Sequence, residues 1–132
     1  MRIVNPAGWP RPQGYSNAVL AEGRCLFLGG QIGWDETYKF QTDDLIEQVR
    51  QALKNTLAVL KAAGAKPEHV VRMTWYLTDK REYLARAREF GAVYREFMGK
   101  HYPAMAMVQV AALIEDRAKV EVETTAVIPD AG

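Results

Sequence analysis

The chain has 132 residues, 48% hydrophobic and 25% charged, the length and apolar content of one domain with one core. Seventeen basic against sixteen acidic side chains leave a net charge of +1, which gives no general field for gripping a phosphate backbone and argues against a nucleic-acid partner. A single cysteine, Cys25, excludes an internal disulfide and a cysteine-built zinc site, and two histidines are too few for most metal clusters, so no metal and no cofactor is expected.

The N-terminus MRIVNPAGWP lacks the apolar core of a signal peptide. The longest apolar run, residues 105–114, is interrupted by Gln109 and falls short of the ~18 residues a membrane span needs. A cytoplasmic protein that does not enter a membrane is expected.

In chain order, residues 1–16 hold Pro6, Pro10 and Pro12. Proline fixes φ and lacks an N–H, so an irregular extended arm is expected. Residues 17–22 and 24–28, rich in Val, Leu and Phe, flank Gly23 and predict a hairpin that ends at Gly29-Gly30. Residues 31–41 have no clean period and predict a loop with a short strand at 38–40.

Thr42, Asp43 and Asp44 are helix-capping types, and Asp44 with Glu47 has capping-box spacing. Leu45, Ile46, Val49, Leu53, Leu57 and Leu60 then recur at helical steps and predict an amphipathic helix. Gly64 stands ready to close it with a positive φ. Residues 70–77 alternate as a strand, with Val71, Met73, Trp75 and Leu77 on one face and Val70, Arg72, Thr74 and Tyr76 on the other. A second helix starts after Asp79, carries Tyr83, Leu84, Ala87, Phe90, Tyr94 and Phe97 as its stripe, and stops at Gly99. Residues 105–112 and 118–127 predict a final strand pair around Glu115-Asp116-Arg117.

The order β-β-α-β-α-β-β, without repeat or linker, predicts a single α+β domain over 1–132. It would be one mixed sheet of five or six strands with two helices on one face. Apolar residues on the other face, among them Met107 and Val127, predict that further copies of the chain cover it.

Chemistry is sparse on pattern alone. Gly29-Gly30 is not followed by a phosphate-loop signature and reads as a strand terminator. Glu121 and Glu123, two apart on a strand, share a face and could do acid/base work. With Lys119 beside them, a solvated face is the simpler reading. His101 could be a base, but no partner is evident and a structural role is favoured. Arg24 could activate Cys25, yet a strand position favours a buried, inert thiol.

Lys80, Arg81, Arg86, Arg88, Arg95 and Lys100 interleave with Glu82, Glu89 and Glu96. The i,i+4 pairs Glu82–Arg86 and Glu96–Lys100 predict a mixed solvated face rather than an RNA-binding stripe. Trp75 is expected in the core, while Trp9 and Trp34 fall in loops and are candidates for a pocket or an interface.

Six segments in register do carry a resemblance. They are GYSNAV at 14–19, LFLGGQI at 26–32, NTLAVLKAAG at 55–64, VVRMTWYLTD at 70–79, residues 102–112, and VEVETTAV at 120–127. Their order and spacing resemble the RidA (YjgF, endoribonuclease L-PSP-like) family of imine and enamine deaminases over about residues 5–127. The resemblance implies a chorismate-mutase-like fold, a homotrimer with the sheets inside, and a small-molecule ligand in clefts between subunits.

In deaminating members an arginine after a Pro-Ala pair grips the carboxylate of a small 2-imino or 2-amino-enoic acid. A last-strand glutamate positions or activates water, and an N-terminal tyrosine and a Gly-Gln pair complete the pocket. Carried over, the resemblance implies Glu121 as the catalytic residue and Tyr15, Gly30, Gln31, Met105 and Met107 as substrate-binding, with backbone amides near Gly30 and Met107 stabilising charge. Met105 stands where the family has its arginine, Met107 where it has cysteine, and Gly91 where it has asparagine. Methionine cannot make the bidentate pair, so affinity for small imino acids is expected to fall about a hundredfold or more. The pocket should be more apolar, with Trp34 or Trp9 at its edge, and Arg2, Arg11, Arg24 and Arg72 are candidates to replace the missing guanidinium.

The function implied is hydrolysis of an imine or enamine with release of ammonia, on a substrate other than the usual small 2-imino acid. The alternative is a non-catalytic small-molecule-binding trimer. Ribonuclease or translation-inhibitor activity, assigned to some members, is disfavoured by the lack of a basic groove and of a histidine pair.

Overall fold

The computed structural model describes residues 1–130. The N-terminal arm is anchored rather than irregular. Strand β1 (Arg2–Val4) pairs antiparallel with β2 (Ala18–Leu20) in a small separate sheet. The Asn5 side-chain oxygen accepts from the backbone and side-chain N–H groups of Asn17 at 2.8 and 2.9 Å and closes the intervening loop.

The hairpin expected around Gly23 does not form. Strand β3 (Arg24–Phe27) leaves β2 and pairs with the last strand instead, where Leu26 packs against the core. Strand β4 is short (Gln31–Ile32). Residues 38–40 form no strand. Tyr38 takes φ +63°, and the Asp35 carboxylate gathers Thr37, Lys39 and Gln41 around a tight loop. Those hydrogen bonds hold the Asp35 carboxyl far below the usual carboxylate range, Thr37 contributing most.

Helix α1 (Leu45–Ala62) follows the apolar period. Asp44 caps it by accepting from the Glu47 N–H at 3.0 Å, and Gly64 closes it at φ +78°. Its buried Gln48 donates to Thr42 and Arg117 carbonyls and accepts from the Lys119 N–H, so no polar atom of this side chain is stranded. A 3-10 turn (Pro67–His69) leads into β5 (Val70–Leu77). Met73, Trp75 and Leu77 point into the core as the alternation predicts. Val70 was assigned to the opposite face but is fully buried, because the register shifts between Val70 and Arg72.

The second helix is broken. It runs as α2 (Lys80–Ala85) and α3 (Ala87–Met98), with Arg86 out of helical geometry at φ −123°, ψ 23°. Neither proline nor glycine marks the break. Arg86 instead reaches Asp44 at 2.5 Å and Glu89 at 2.8 Å. The expected pairs Glu82–Arg86 and Glu96–Lys100 are absent from the ion pairs of the described residues: Glu82 meets Lys119, and Glu96 meets Arg50.

Strands β6 (Ala104–Gln109) and β7 (Val120–Ile128) do not pair with each other as predicted. The strand order is β3-β7-β5-β6, with β4 also on β7. Strand β5, which carries Trp75, the largest fully buried side chain, is inserted between them, parallel to β6 and antiparallel to β7. Both helical stretches lie against one face, sealing Val49, Leu53, Phe90 and Val93 onto Met73, Trp75, Val120 and Val122. The other face carries Cys25 and Phe27 from β3, Thr74 and Tyr76 from β5, Glu121 and Glu123 from β7, and Ala106 and Val108 from β6. Phe27 is 76% exposed there. Met107, assigned to this open face by sequence, pairs with Trp75 and lies on the helix side. No helix among the described residues is long and apolar enough to cross a membrane.

Candidate functional site

The six candidate residues fall into two groups. Glu121, Gly30 and Gln31 form the first, where β4 meets β7; the register sets Glu121 on the open face and Gln31, opposite the buried Val122, on the other. Strand β7 brings Glu121 opposite Ile32 and Tyr76 on the open face. Its carboxylate lies against the backbone of Gly30, where a Cβ would stand only 2.3 Å from Oε2. Gly30 is thus more than a strand terminator: the absent side chain is the space that Glu121 fills. Glu121 has no ion-pair partner among the described residues. Gln31 donates from Nε2 to the Gly29 carbonyl at 3.3 Å.

The neighbouring carboxylate, Glu123, accepts from the Tyr76 hydroxyl at 3.3 Å. Desolvation, then the Glu123 charge, pushes the Tyr76 hydroxyl above its ordinary pKa and keeps it a donor. Lys119, expected beside the two glutamates, reaches Glu82 of α2 at 3.5 Å instead.

Met105, Met107 and Tyr15 form the second group, in a cavity of about 730 Å³ between the edge strand β6, helix α3 and the N-terminal arm. Strand β6 is the sheet's last strand, so its outer edge is open. Ser16 bridges to Ala104 along that edge and donates to the Tyr102 carbonyl at 2.5 Å, which fixes Tyr15 at the cavity mouth. The walls are Trp75, Tyr83, Phe90, Met105 and Met107, with Gly91, Arg88 and Arg95 on α3. The Trp75 indole N–H in this wall is buried without a hydrogen-bond partner. Burial raises the hydroxyl pKa of both Tyr83 and Tyr94, and Tyr94 donates to the His101 carbonyl at 2.6 Å. A smaller, more polar cavity of about 540 Å³ lies on the other side of Tyr15, beside Arg11, Lys100 and His101.

Several sequence candidates fall outside these groups. Trp34 stacks on Tyr38 at 4.6 Å inside its own loop, and Trp9 is exposed in the arm. Neither lines the Met105 cavity. His101 is structural, its Nε2 lying 2.6 Å from the Val70 carbonyl. Cys25, expected to be buried, is exposed on the open face because β3 turns that side of its strand away from the helices. Of the arginines offered as replacements at the pocket, none lines the Met105 cavity. The cations there are Arg88 and Arg95, both exposed, as expected of a solvated helix face.

Chemically, one group offers an unpaired carboxylate lying against the Gly30 backbone. The other offers an apolar chamber with a tyrosine and two guanidinium groups. One chain keeps them on opposite sides of a sheet.

Comparison with known proteins adds the context. Residues 10–128 match the family model described as endoribonuclease L-PSP. A RutC family protein of Pyrococcus horikoshii is 39% identical over 119 residues, covering 89% of this chain and 90% of that protein. The human 2-iminobutanoate/2-iminopropanoate deaminase is 34% identical over 128 residues, covering 96% and 89%. A crystal structure of a Yersinia pestis protein of unknown function from the conserved Rid family superposes with a TM-score of 0.85 at 30% identity, covering 96% and 98%. The open-faced mixed sheet, the helices packed on one of its faces and the matched length agree with these relatives, and the chain belongs to the endoribonuclease L-PSP family, the RidA (YjgF/YER057c/UK114) family that its motifs resemble.

Proposed function

We propose that the protein is an imine deaminase that hydrolyses the C=N bond of a small reactive metabolite to a carbonyl compound and ammonia. The observation that carries this reading is the Glu121 carboxylate, unpaired and seated on the Gly30 backbone. A carboxylate not neutralised by a cation is available to accept a proton from water. As water adds to the imine carbon, Glu121 takes its proton. That proton passes to the imine nitrogen to give the carbinolamine, which then collapses: the C–N bond breaks, the C=O bond forms as the hydroxyl gives up its own proton through Glu121, and this second proton goes to the nitrogen as ammonia leaves. One water enters and one ammonia departs, and Glu121 ends as it began. An enamine enters the same route after tautomerising to its imine. The deaminase relatives support this chemistry, and Met105 favours a substrate other than the smallest 2-imino acids.

The reading includes a homotrimer. Its support is the exposed apolar surface of Phe27 and Val108 on the open sheet face. With that face turned inward, a neighbouring chain can bring its Glu121 group to the Met105 cavity, and the cleft between copies becomes the site.

Imines made in place by an amino-acid oxidase, with ammonia release followed, test the reading. The protein is expected to accelerate release above the spontaneous rate, and Glu121→Ala is expected to abolish the acceleration. No acceleration across a panel of side chains overturns the enzyme reading and leaves a binding protein.

A further inference from the structure

The Met105 cavity is lined by an exposed guanidinium that no acid among the described residues pairs with. Arg95 lies on α3 with its Nη1 3.2 Å from where a Cβ on Gly91 would stand. Glycine at 91 is what gives the guanidinium this seat. Every residue at helical pairing distance from Arg95 is uncharged: Gly91, Ala92, Met98 and Gly99. Arg88, two turns earlier on the same stripe, is in the same position, with Leu84, Ala85, Gly91 and Ala92 around it. Arg50 is held by Glu47 and Glu96, Arg86 by Asp44 and Glu89, and Arg117 by Asp43. Arg88 and Arg95 have no ion-pair partner among the described residues, as is also true of Arg2, Arg11, Arg24, Arg72 and Arg81, but of these seven only Arg88 and Arg95 line the Met105 cavity.

We propose that Arg95, laid over Gly91, is the carboxylate anchor of the Met105 cavity, and that the ligand is a 2-imino acid, or its 2-oxo acid product, with an apolar side chain longer than that of 2-iminopropanoate. Arg95 offers a planar pair of donors that matches a carboxylate, and Arg88 adds positive potential from the same helix face. Met105 and Met107 offer thioethers that adapt to an apolar group, and Tyr83, Phe90 and Trp75 continue that surface. A cavity of about 730 Å³ has room for a side chain of several carbons, more than the methyl group of 2-iminopropanoate fills. The cation sits on the helix side and the methionines on the sheet side, so a ligand anchored at Arg95 is drawn across the apolar wall.

This assignment rests on the deaminase reading for its imine chemistry, but the anchor itself can be tested without turnover. The probes are the stable products 2-oxobutanoate and 4-methyl-2-oxopentanoate, titrated by NMR against the whole protein. The parent is expected to bind the longer acid more tightly. Arg95→Ala is expected to weaken binding of both acids about tenfold to a hundredfold, the range for losing a charge-assisted pair. Arg95→Lys should recover part of the loss. Gly91→Asn, which fills the seat of the guanidinium, should weaken binding like Arg95→Ala while circular dichroism stays unchanged. Arg81→Ala, which removes the same charge from outside the cavity, should bind as the parent does.

Binding by Arg95→Ala within twofold of the parent overturns the assignment, as does equal weakening in Arg81→Ala. Failure of the parent to bind either acid also overturns it. Ammonia release, measured in parallel, separates the two ideas. Turnover that ignores Arg95→Ala leaves the deaminase reading standing without this anchor. Arg95-dependent binding without turnover leaves the anchor standing without the enzyme.

Discussion

The Glu121 carboxylate and the Cα of Gly30 share one space: Oε2, Cδ and Cγ of Glu121 lie 2.3, 2.7 and 3.0 Å from where a Cβ on Gly30 would be. A glycine strand end and a glutamate three strands later in the chain therefore act as one unit. Gly30→Ala should leave the fold intact, because the atoms that must give way are the end of a flexible side chain. It should displace the carboxylate and lower kcat for imine hydrolysis, approaching Glu121→Ala, which removes the proton acceptor and is expected to cost about 10²- to 10⁴-fold. Steady-state ammonia release with circular dichroism on both variants checks this. Parental turnover in Glu121→Ala would return Glu121 to an ordinary solvated strand face.

Much of the frame was legible because it is set locally. The Leu45-to-Leu60 period and the Asp44 cap specify α1 without reference to the rest of the chain. What could not be read was non-local. No short-range signal tells β6 and β7 that β5 will lie between them, or moves β3 from its sequence neighbour β2 to β7. The break at Arg86 has no proline or glycine to announce it and goes with ion pairs to Asp44 and Glu89. Motif matching placed Glu121, Gly30 and Tyr15 as candidates, but not the Glu121–Gly30 contact. It missed Arg88 and Arg95, although their lack of acidic neighbours at i±3 and i±4 was open to inspection.

Asp44 does two jobs, capping α1 and pairing with Arg86 across to α3. Asp44→Ala should therefore destabilise the protein by about 1–2 kcal/mol at neutral pH, chiefly through the lost cap. The Arg86 hydrogen bond holds the Asp44 carboxyl below its ordinary 3.8. A depressed carboxylate contributes stability above its unfolded pKa and loses it as pH falls through the folded value. The gap between parent and Asp44→Ala in urea unfolding should thus be full at pH 7 and shrink below about pH 4. A gap that stays constant down to pH 2 would show that the carboxylate's charge contributes nothing.

The open sheet face should be the assembly surface. Phe27 is 76% exposed there and Val108 45%. Light scattering is expected to give a particle three times the 14.8 kDa chain mass. Phe27→Asp would bring a charge into each buried interface, an unpaired burial that costs several kcal/mol in order of magnitude, and should shift the protein to monomer at micromolar concentration. Ammonia release should fall with it, since the Glu121 and Met105 groups of one chain face apart. A parent that is monomeric at micromolar concentration removes the intersubunit site altogether.

Met105→Arg should redirect the specificity of the pocket. Met105 is half-buried in the cavity wall, its strand neighbour is the buried Met73, and Tyr15 stands at the mouth. An arginine there can lay its stem along the same apolar surface and hold its guanidinium in the cavity. It would present a second cation close to the sheet, where a short 2-imino acid can engage it without reaching across to α3. Activity on 2-iminopropanoate should rise, by about tenfold or more if one charge-assisted pair is gained. Longer apolar substrates should lose, because the guanidinium occupies space that Met105 left to their side chains. The coupled oxidase assay on parent and variant, with imines of alanine and leucine side by side, reads this as a change in the ratio of kcat/KM. A parent that already prefers the alanine-derived imine would mean that Met105 is no handicap to small substrates. The apolar chamber would then have no part in selecting them.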